Sequence, residues 1–188
     1  MEAFSVTLSN PVGAPLADAT ADITVQDNDP DLAGDSIGSA NAITVEAGSM
    51  LEIDATIGDG LYGDADVDLY QIYIAAGQTV TIDVDAEIDD NGVSLSNLDS
   101  YLRIFDSTGS DVTPGGYYER SGYASSQNDF GQVFKDDYLT FTAANSGDYF
   151  IGVSAQSNAW YSATNAGSGS GQSAGTGVYR LQLLADSP

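Results

Sequence analysis

Asp64, Asp66 and Asp68 alternate within the segment Gly63-Asp-Ala-Asp-Val-Asp-Leu-Tyr. Carboxylates at every second residue face one side of an extended chain. Held that close, they repel one another unless positive charge or protons neutralise them. The chain has little positive charge of its own, with 28 acids against four bases: Arg103, Arg120, Lys135 and Arg180. It also contains no histidine and no cysteine. Imidazole and thiolate metal sites are therefore excluded, and only hard oxygen donors remain. That donor set suits Ca2+, which takes roughly six to eight oxygens from carboxylates, carbonyls and water. The spacing is not that of an EF-hand, because the glycine at the sixth position and the glutamate at the twelfth are missing. The competing reading is a solvated acidic loop on a surface adapted to high salt.

Other acids flank predicted strands. Asp99 and Asp106 bracket one strand, and Asp129, Asp136 and Asp137 bracket a tyrosine-rich stretch. Each group could hold an ion or simply end a strand, and for Asp129 and Asp137 both readings stand. Asp106, in Asp-Ser-Thr-Gly, reads better as an Asx-type turn residue. A second constellation is aromatic: Tyr117, Tyr118, Tyr123, Trp160 and Tyr161 lie in Gly- and Ser-rich stretches. Flat rings of this kind can stack on sugars or grip a peptide. They can equally pin long loops onto a core, and Trp160 is the first of the five to expect as an anchor.

Catalysis finds no support. Without histidine the usual triads are unavailable, and no nucleophile elbow, HExxH or phosphate loop occurs. A formal net charge of -24 excludes reading of a nucleic-acid backbone and disfavours anionic membranes. No transmembrane stretch is present, so no direct membrane insertion is expected. Met1-Glu-Ala-Phe lacks the basic and apolar regions of a signal peptide, and the start looks cut from a longer chain.

The elements that must position these residues are short strands. Residues 3–10 alternate, with Phe4, Val6 and Leu8 on one face. Residues 19–26 form a second such run, closed by Asp27-Asn28-Asp29-Pro30. Further strands are predicted at 42–45, 49–55, 69–74, 79–84, 101–105, 138–143, 148–155 and 178–184, separated by Gly, Asn and Asp turns. Helical periodicity is absent. The pattern predicts an all-β protein, an antiparallel β-sandwich of jelly-roll-like build. Pro30 to Asn41 is polar and small and marks a boundary. Residues 1–30 then read as the end of an upstream repeat or a linker, and residues 31–188 as the sandwich. Asp31-Leu-Ala-Gly-Asp35 could be a linker loop or the first metal-binding loop of that domain.

Two resemblances follow. Phe4-Ser-Val-Thr-Leu-Ser-Asn-Pro with the strand running into Asp27-Asn28-Asp29 resembles the closing strands of a Calx-beta domain, over about residues 3–29. Residues 31–184 resemble the bacterial pre-peptidase C-terminal domain. The matching segments are Asp31-Leu-Ala-Gly-Asp-Ser, Gly63-Asp-Ala-Asp-Val-Asp-Leu-Tyr-Gln-Ile, Ala76-Gly-Gln-Thr-Val-Thr-Ile, Leu98-Asp-Ser-Tyr-Leu-Arg-Ile-Phe-Asp, Asn128-Asp-Phe-Gly and Ser146-Gly-Asp-Tyr-Phe-Ile-Gly-Val-Ser. This resemblance implies a non-catalytic β-sandwich accessory module beside secreted peptidases or in surface proteins. Some relatives bind calcium, and some bind matrix protein or polysaccharide. It also implies that Asp31 and Asp35 complete a site with the acidic loop. Phe130 stands where the family usually has a second acid, and the 110–127 and 156–177 loops look long.

The expectation is thus a monomeric module within a longer secreted or cell-surface chain. It would bind Ca2+ through some of Asp31, Asp35, Asp64, Asp66, Asp68, Asp99, Asp129 and Asp137. Its ligand would be a polysaccharide or an extracellular protein. The alternative is a calcium-stiffened spacer between repeats, with no ligand of its own.

Overall fold

The structure, a computed structural model, describes residues 31, 33–86, 95–114, 137–169 and 175–186. Eight strands run in chain order: β1 (Asn41–Ala42), β2 (Met50–Ile57), β3 (Val67–Ile74), β4 (Thr79–Asp85), β5 (Ser100–Asp106), β6 (Asp137–Thr142), β7 (Gly147–Ala155) and β8 (Gly177–Ala185). They form two four-stranded sheets, ordered β1-β3-β7-β5 and β2-β8-β4-β6. The protein is an all-β, two-sheet sandwich, as its alternating segments predict. One pairing departs from the antiparallel rule. The short β1 runs parallel to β3, with Asn41 opposite Tyr70. It covers less than the predicted 42–45 strand. The upstream strands expected at 3–10 and 19–26 lie outside the described residues.

β4 shows why the sequence alternates. Val80, Ile82 and Val84 point into the space between the sheets and are buried, while Thr79, Thr81 and Asp83 lie on the other face. Tyr70, Ile72 and Ile74 of β3 meet them there, with Ile151 and Val153 of β7 and Leu181 and Leu183 of β8. Burying such a side chain stabilises the fold by about 1.5–3 kcal/mol before chain entropy is counted.

β3 is different, because it is buried on both faces over most of its length. Its outward Val67 and Leu69 join Phe105, Phe150, Tyr161 and Ala163 in a second apolar cluster, packed by Ile37 and Ala40. Strands covered on both faces read as continuous rather than alternating apolar runs. The cover is loop, not sheet. Ile37 N donates to Ala163 O at 2.7 Å, and Leu69 N donates to Gly34 O at 3.1 Å. The segments 33–40 and 159–163 are thereby laid across one end of the first sheet, at the acidic loop that enters β3.

Candidate metal centre

Two segments build the site. The first joins β2 to β3. Gly58 has φ 98°, which favours glycine, and its N–H donates to Asp66 Oδ2 at 2.5 Å. Residues Gly63–Ala65 then make one 3-10 turn, closed by Asp66 N donating to Gly63 O at 3.0 Å. Asp66 itself is extended, at φ -65° and ψ 142°. From there the period-two rule holds, and Asp66 and Asp68 share a face. Asp64 sits inside the turn and is exposed. The alternation read from the sequence therefore fails at Asp64, because residues 63–65 are helical rather than extended.

The second segment is Asp31 to Asp35. Asp31 Oδ1 accepts from Ala33 N at 3.0 Å and Gly34 N at 2.9 Å. Asp35 Oδ1 accepts from Val67 N at 3.1 Å and so docks on the start of β3. The two segments meet beside Gly60. A Cβ on Gly60 would lie 3.2 Å from both Asp31 Oδ2 and Asp66 Oδ1. Only a residue without a side chain fits there without displacing one of the carboxylates.

Two groups of carboxylates result, Asp31 with Asp35 and Asp66, and Asp31 with Asp59 and Asp68. Within each group, one oxygen per residue lies within 4.8 Å of the others. Asp35, Asp66 and Asp68 are buried. Asp66 Oδ1 is buried without a hydrogen-bond partner. Such an acceptor is costly to leave unsatisfied. Burial raises the Asp35 carboxyl to about 7, with the Asp66 charge adding to the effect. Burial also raises Asp66, against the Gly58 N–H that favours its charged form. Asp68 is raised well above the carboxylate range by burial, which outweighs a hydrogen bond from Tyr179. Without a cation, burial and mutual repulsion favour the protonated forms of Asp35, Asp66 and Asp68. With one, the ion replaces those protons. The donor set fits a hard divalent cation, since every side chain offered is a carboxylate.

The remaining expected ligands stand elsewhere. Asp137 Oδ2 accepts from Leu102 N at 2.8 Å and ties β6 to β5. The Asp99 carbonyl accepts from Gln156 N at 2.8 Å. Neither residue joins the two carboxylate groups. Asp106 Oδ1 accepts from Thr108 N at 2.8 Å and Ser110 N at 3.1 Å, so it is a turn residue, as its context suggests. Asp129, Tyr117, Tyr118 and Tyr123 lie outside the described residues.

Trp160 and Tyr161, both expected as ligand-contacting or loop-pinning aromatics, differ sharply in burial. Tyr161 is buried against Phe105, with ring centroids 5.6 Å apart. Trp160, expected as an anchor, is 66% exposed. Buried Arg103 accounts for the difference. Its guanidinium lies 4.5 Å from the Phe105 ring centroid and 4.7 Å from that of Tyr161, and it pairs with Asp111 at 2.9 Å. Its Nη1 donates to Ala159 O at 3.1 Å and Tyr161 O at 2.7 Å. The cation thus takes Tyr161 inward and leaves Trp160 pointing out between two clamped carbonyls.

Three residues of this end escaped the sequence reading. Asp59 sits in a Gly-Asp-Gly turn and reads as punctuation. Tyr179, on β8, donates to Asp68 Oδ2, a contact between residues far apart in the chain. Asn158 is fully buried and donates from Nδ2 to Asp66 O at 3.4 Å. Of the three, only Asp59 carried a signal, as an acid in a glycine turn close to other acids.

Residues 66–155 match the family model of the bacterial pre-peptidase C-terminal domain. The match starts at Asp66, inside the carboxylate site, and does not reach the resemblance read at residues 3–29. Comparison with curated proteins finds no match. Among solved structures, the periplasmic inhibitor of g-type lysozyme PliG from Aeromonas hydrophila is 12% identical, with a TM-score of 0.42 over 78% of this chain and 96% of its own. PliG from Salmonella Typhimurium is 15% identical, with a TM-score of 0.41 over 78% and 100%. The pre-peptidase C-terminal domain of a collagenase from Bacillus anthracis is 16% identical, with a TM-score of 0.37 over 76% and 92%.

Proposed function

We propose that residues 31–188 are a calcium-stabilised, non-catalytic binding module of a secreted or cell-surface bacterial protein. Its ligand is a polysaccharide or an extracellular protein. The observation that carries the calcium reading is the buried, unpartnered Asp66 Oδ1, set among the carboxylates of Asp31, Asp35, Asp59 and Asp68. Calcium is favoured over zinc by the absence of histidine and cysteine. It is favoured over magnesium because Mg2+ dehydrates reluctantly and is seldom held by an all-protein cage. The non-catalytic, extracellular reading rests on the match at residues 66–155.

The mechanism is linkage. The ion neutralises carboxylates from the 31–35 and 58–68 segments and holds both loops against β3. Its binding free energy then appears as folding stability. The chelated protein should therefore melt lower than the calcium form, and its 31–35 and 58–68 loops should be cut sooner by protease. The deciding experiment is thermal unfolding of the chelated protein, titrated with calcium and then with magnesium at matched ionic strength. A rise specific to calcium supports dedicated sites. Equal responses to both ions would reduce the cluster to a screened acidic surface and end the metal reading.

A second reading is a calcium-stiffened spacer with no ligand. It draws only on the resemblance read in the sequence at residues 3–29, which would suit a chain of repeats. A glycan and protein array that stays blank for the calcium form would support it.

A further inference from the structure

We infer that the free edge of β2 is a strand-addition site, taking an extended segment of a partner protein in which apolar and basic residues alternate. The inference rests on the proposed function only in taking its protein branch; the carboxylate site plays no part in it.

β2 is the longest edge strand of the two sheets, at eight residues. It pairs with β8 along its whole length, from Met50 opposite Leu184 to Ile57 opposite Gly177. Among the described residues, no backbone hydrogen bond joins its other side to any segment. The edges of the opposite sheet are taken. Beside the short β1, Leu69 N donates to Gly34 O at 3.1 Å and Ile43 N to Gln71 O at 2.9 Å. On β5, Val112 N donates to Ile104 O at 2.8 Å, and Leu102 N to Asp137 Oδ2 at 2.8 Å. An open edge presents unpaired N–H and C=O groups, and an extended chain is the partner that satisfies them.

The two faces of β2 describe that chain. Towards the core, Leu51, Ile53 and Ala55 are only half-buried, whereas Leu183, Leu181 and Tyr179 opposite them on β8 are at most 1% exposed. The apolar row of the core thus reaches the edge incompletely covered. A neighbouring strand with apolar residues at alternate positions would cover it. Towards solvent, Met50, Glu52 and Asp54 are exposed. Asp54 pairs with Arg180 at 2.8 Å, whereas Glu52 forms no ion pair among the described residues. A basic residue in the row of Glu52 would supply one.

Charge also argues against a second copy of this edge. In a twofold antiparallel pairing centred on residues 52–54, Glu52 and Asp54 of each copy fall opposite acids of the other, which is destabilising. The formal net charge of -24 acts the same way at longer range, repelling acidic segments and attracting basic ones. β6, the other edge of the same sheet, exposes neutral Tyr138, Thr140 and Thr142 and selects no charge.

The test uses an acetylated and amidated peptide of alternating valine and lysine, with a second peptide of the same composition whose lysines stand in one block. Calorimetric titration of the whole chain gives the affinities, and hydrogen exchange read by mass spectrometry locates the protection. The alternating peptide should bind saturably and slow exchange over residues 50–57 but not over 137–142. Glu52→Lys, on the exposed face, should weaken binding about tenfold, because an attractive cross-strand pair is lost and a repulsive one gained, with an unchanged melting temperature. Alternate residues of a strand bond to opposite sides. Methylating the backbone nitrogens of either the valines or the lysines therefore blocks one side of the peptide, and one of these two peptides should lose binding while the other keeps it. Equal binding of the block peptide, or equal effects of the two methylations, would mean diffuse attraction to an acidic chain and would overturn the site. So would no binding, or protection over residues 137–142 in place of 50–57. A peptide that fails beside a positive glycan and protein array sinks the edge and leaves the binding module standing. A missing calcium response in thermal melts, with peptide binding at β2 intact, sinks the metal reading and leaves the edge.

Discussion

The phenol of Tyr179 donates a hydrogen bond to Asp68 Oδ2 and lies 2.8 Å from the hydroxyl of Tyr70. Tyr179 belongs to β8 of one sheet, and Asp68 and Tyr70 to β3 of the other. A candidate metal ligand is therefore wired through two buried phenols across the core. Replacing Tyr179 by Phe keeps the ring and removes the donor. The expected loss is about 1–3 kcal/mol, the cost of a buried polar group left unsatisfied. Urea unfolding of the calcium-loaded variant measures it, and a loss below about 0.5 kcal/mol would count the hydrogen bond as idle.

The raised carboxyls predict how the chelated protein responds to pH. The folded Asp35 carboxyl stands at about 7 against an ordinary 3.8, and Asp66 and Asp68 are raised as well. Folding then favours the protonated forms, so this stability is complete below the ordinary value and is lost as pH rises through the folded one. The melting temperature in chelator should fall from pH 5 to pH 8. Calcium should flatten or reverse that slope, because the ion competes with protons. Relief of general repulsion at low pH has the same sign, so the informative comparison is Asp35→Asn, whose chelated slope should be shallower. An identical slope would mean that Asp35 does not hold the proton.

Position within the acidic loop should decide which aspartates matter. Asp59→Asn and Asp66→Asn each remove charge from a carboxylate group. Each should weaken calcium binding by at least the roughly 10–100-fold that supporting partners of a metal are worth. Asp64→Asn, on the exposed 3-10 turn, should bind calcium as wild type does. Calorimetric titration of the three variants checks the ranking, and equal losses in all three would favour a diffuse acidic surface.

Gly152 of β7 should tolerate no side chain. A Cβ there would lie 2.2 Å from the Tyr161 hydroxyl and 3.1 Å from Leu69 Cδ2 and Phe105 Cε2. Gly152→Ala should cost about 1–3 kcal/mol by overpacking. The Tyr161 hydroxyl is itself buried without a partner, so Tyr161→Phe should be neutral or stabilising by up to about 1 kcal/mol. The double variant should recover part of the Gly152→Ala loss. Simple additivity in denaturant melts would show that the clash is relieved elsewhere.

The all-β class and most strand positions among the described residues were legible in the sequence, as was a donor set without histidine or cysteine. Strands such as β4 announce themselves because alternation is a local property, set by one face meeting a core. That Asp66 and Asp68 fall on one face of the chain was legible for the same reason. Asp64 was not, because a single 3-10 turn cancels the alternation and leaves no periodic mark. Asp106 was legible as a turn residue because its donors lie within four residues. Tyr179, Asn158 and Asp59 needed the tertiary structure, since their roles depend on loops and sheets meeting across long separations in the chain. The same holds for the different burial of Trp160 and Tyr161. The sequence favoured Trp160 as the anchor, and carries no local mark of which neighbour turns inward. Which one is buried was decided by Arg103, a cation on β5 that grips the carbonyls on either side of Trp160 and turns only its neighbour inward.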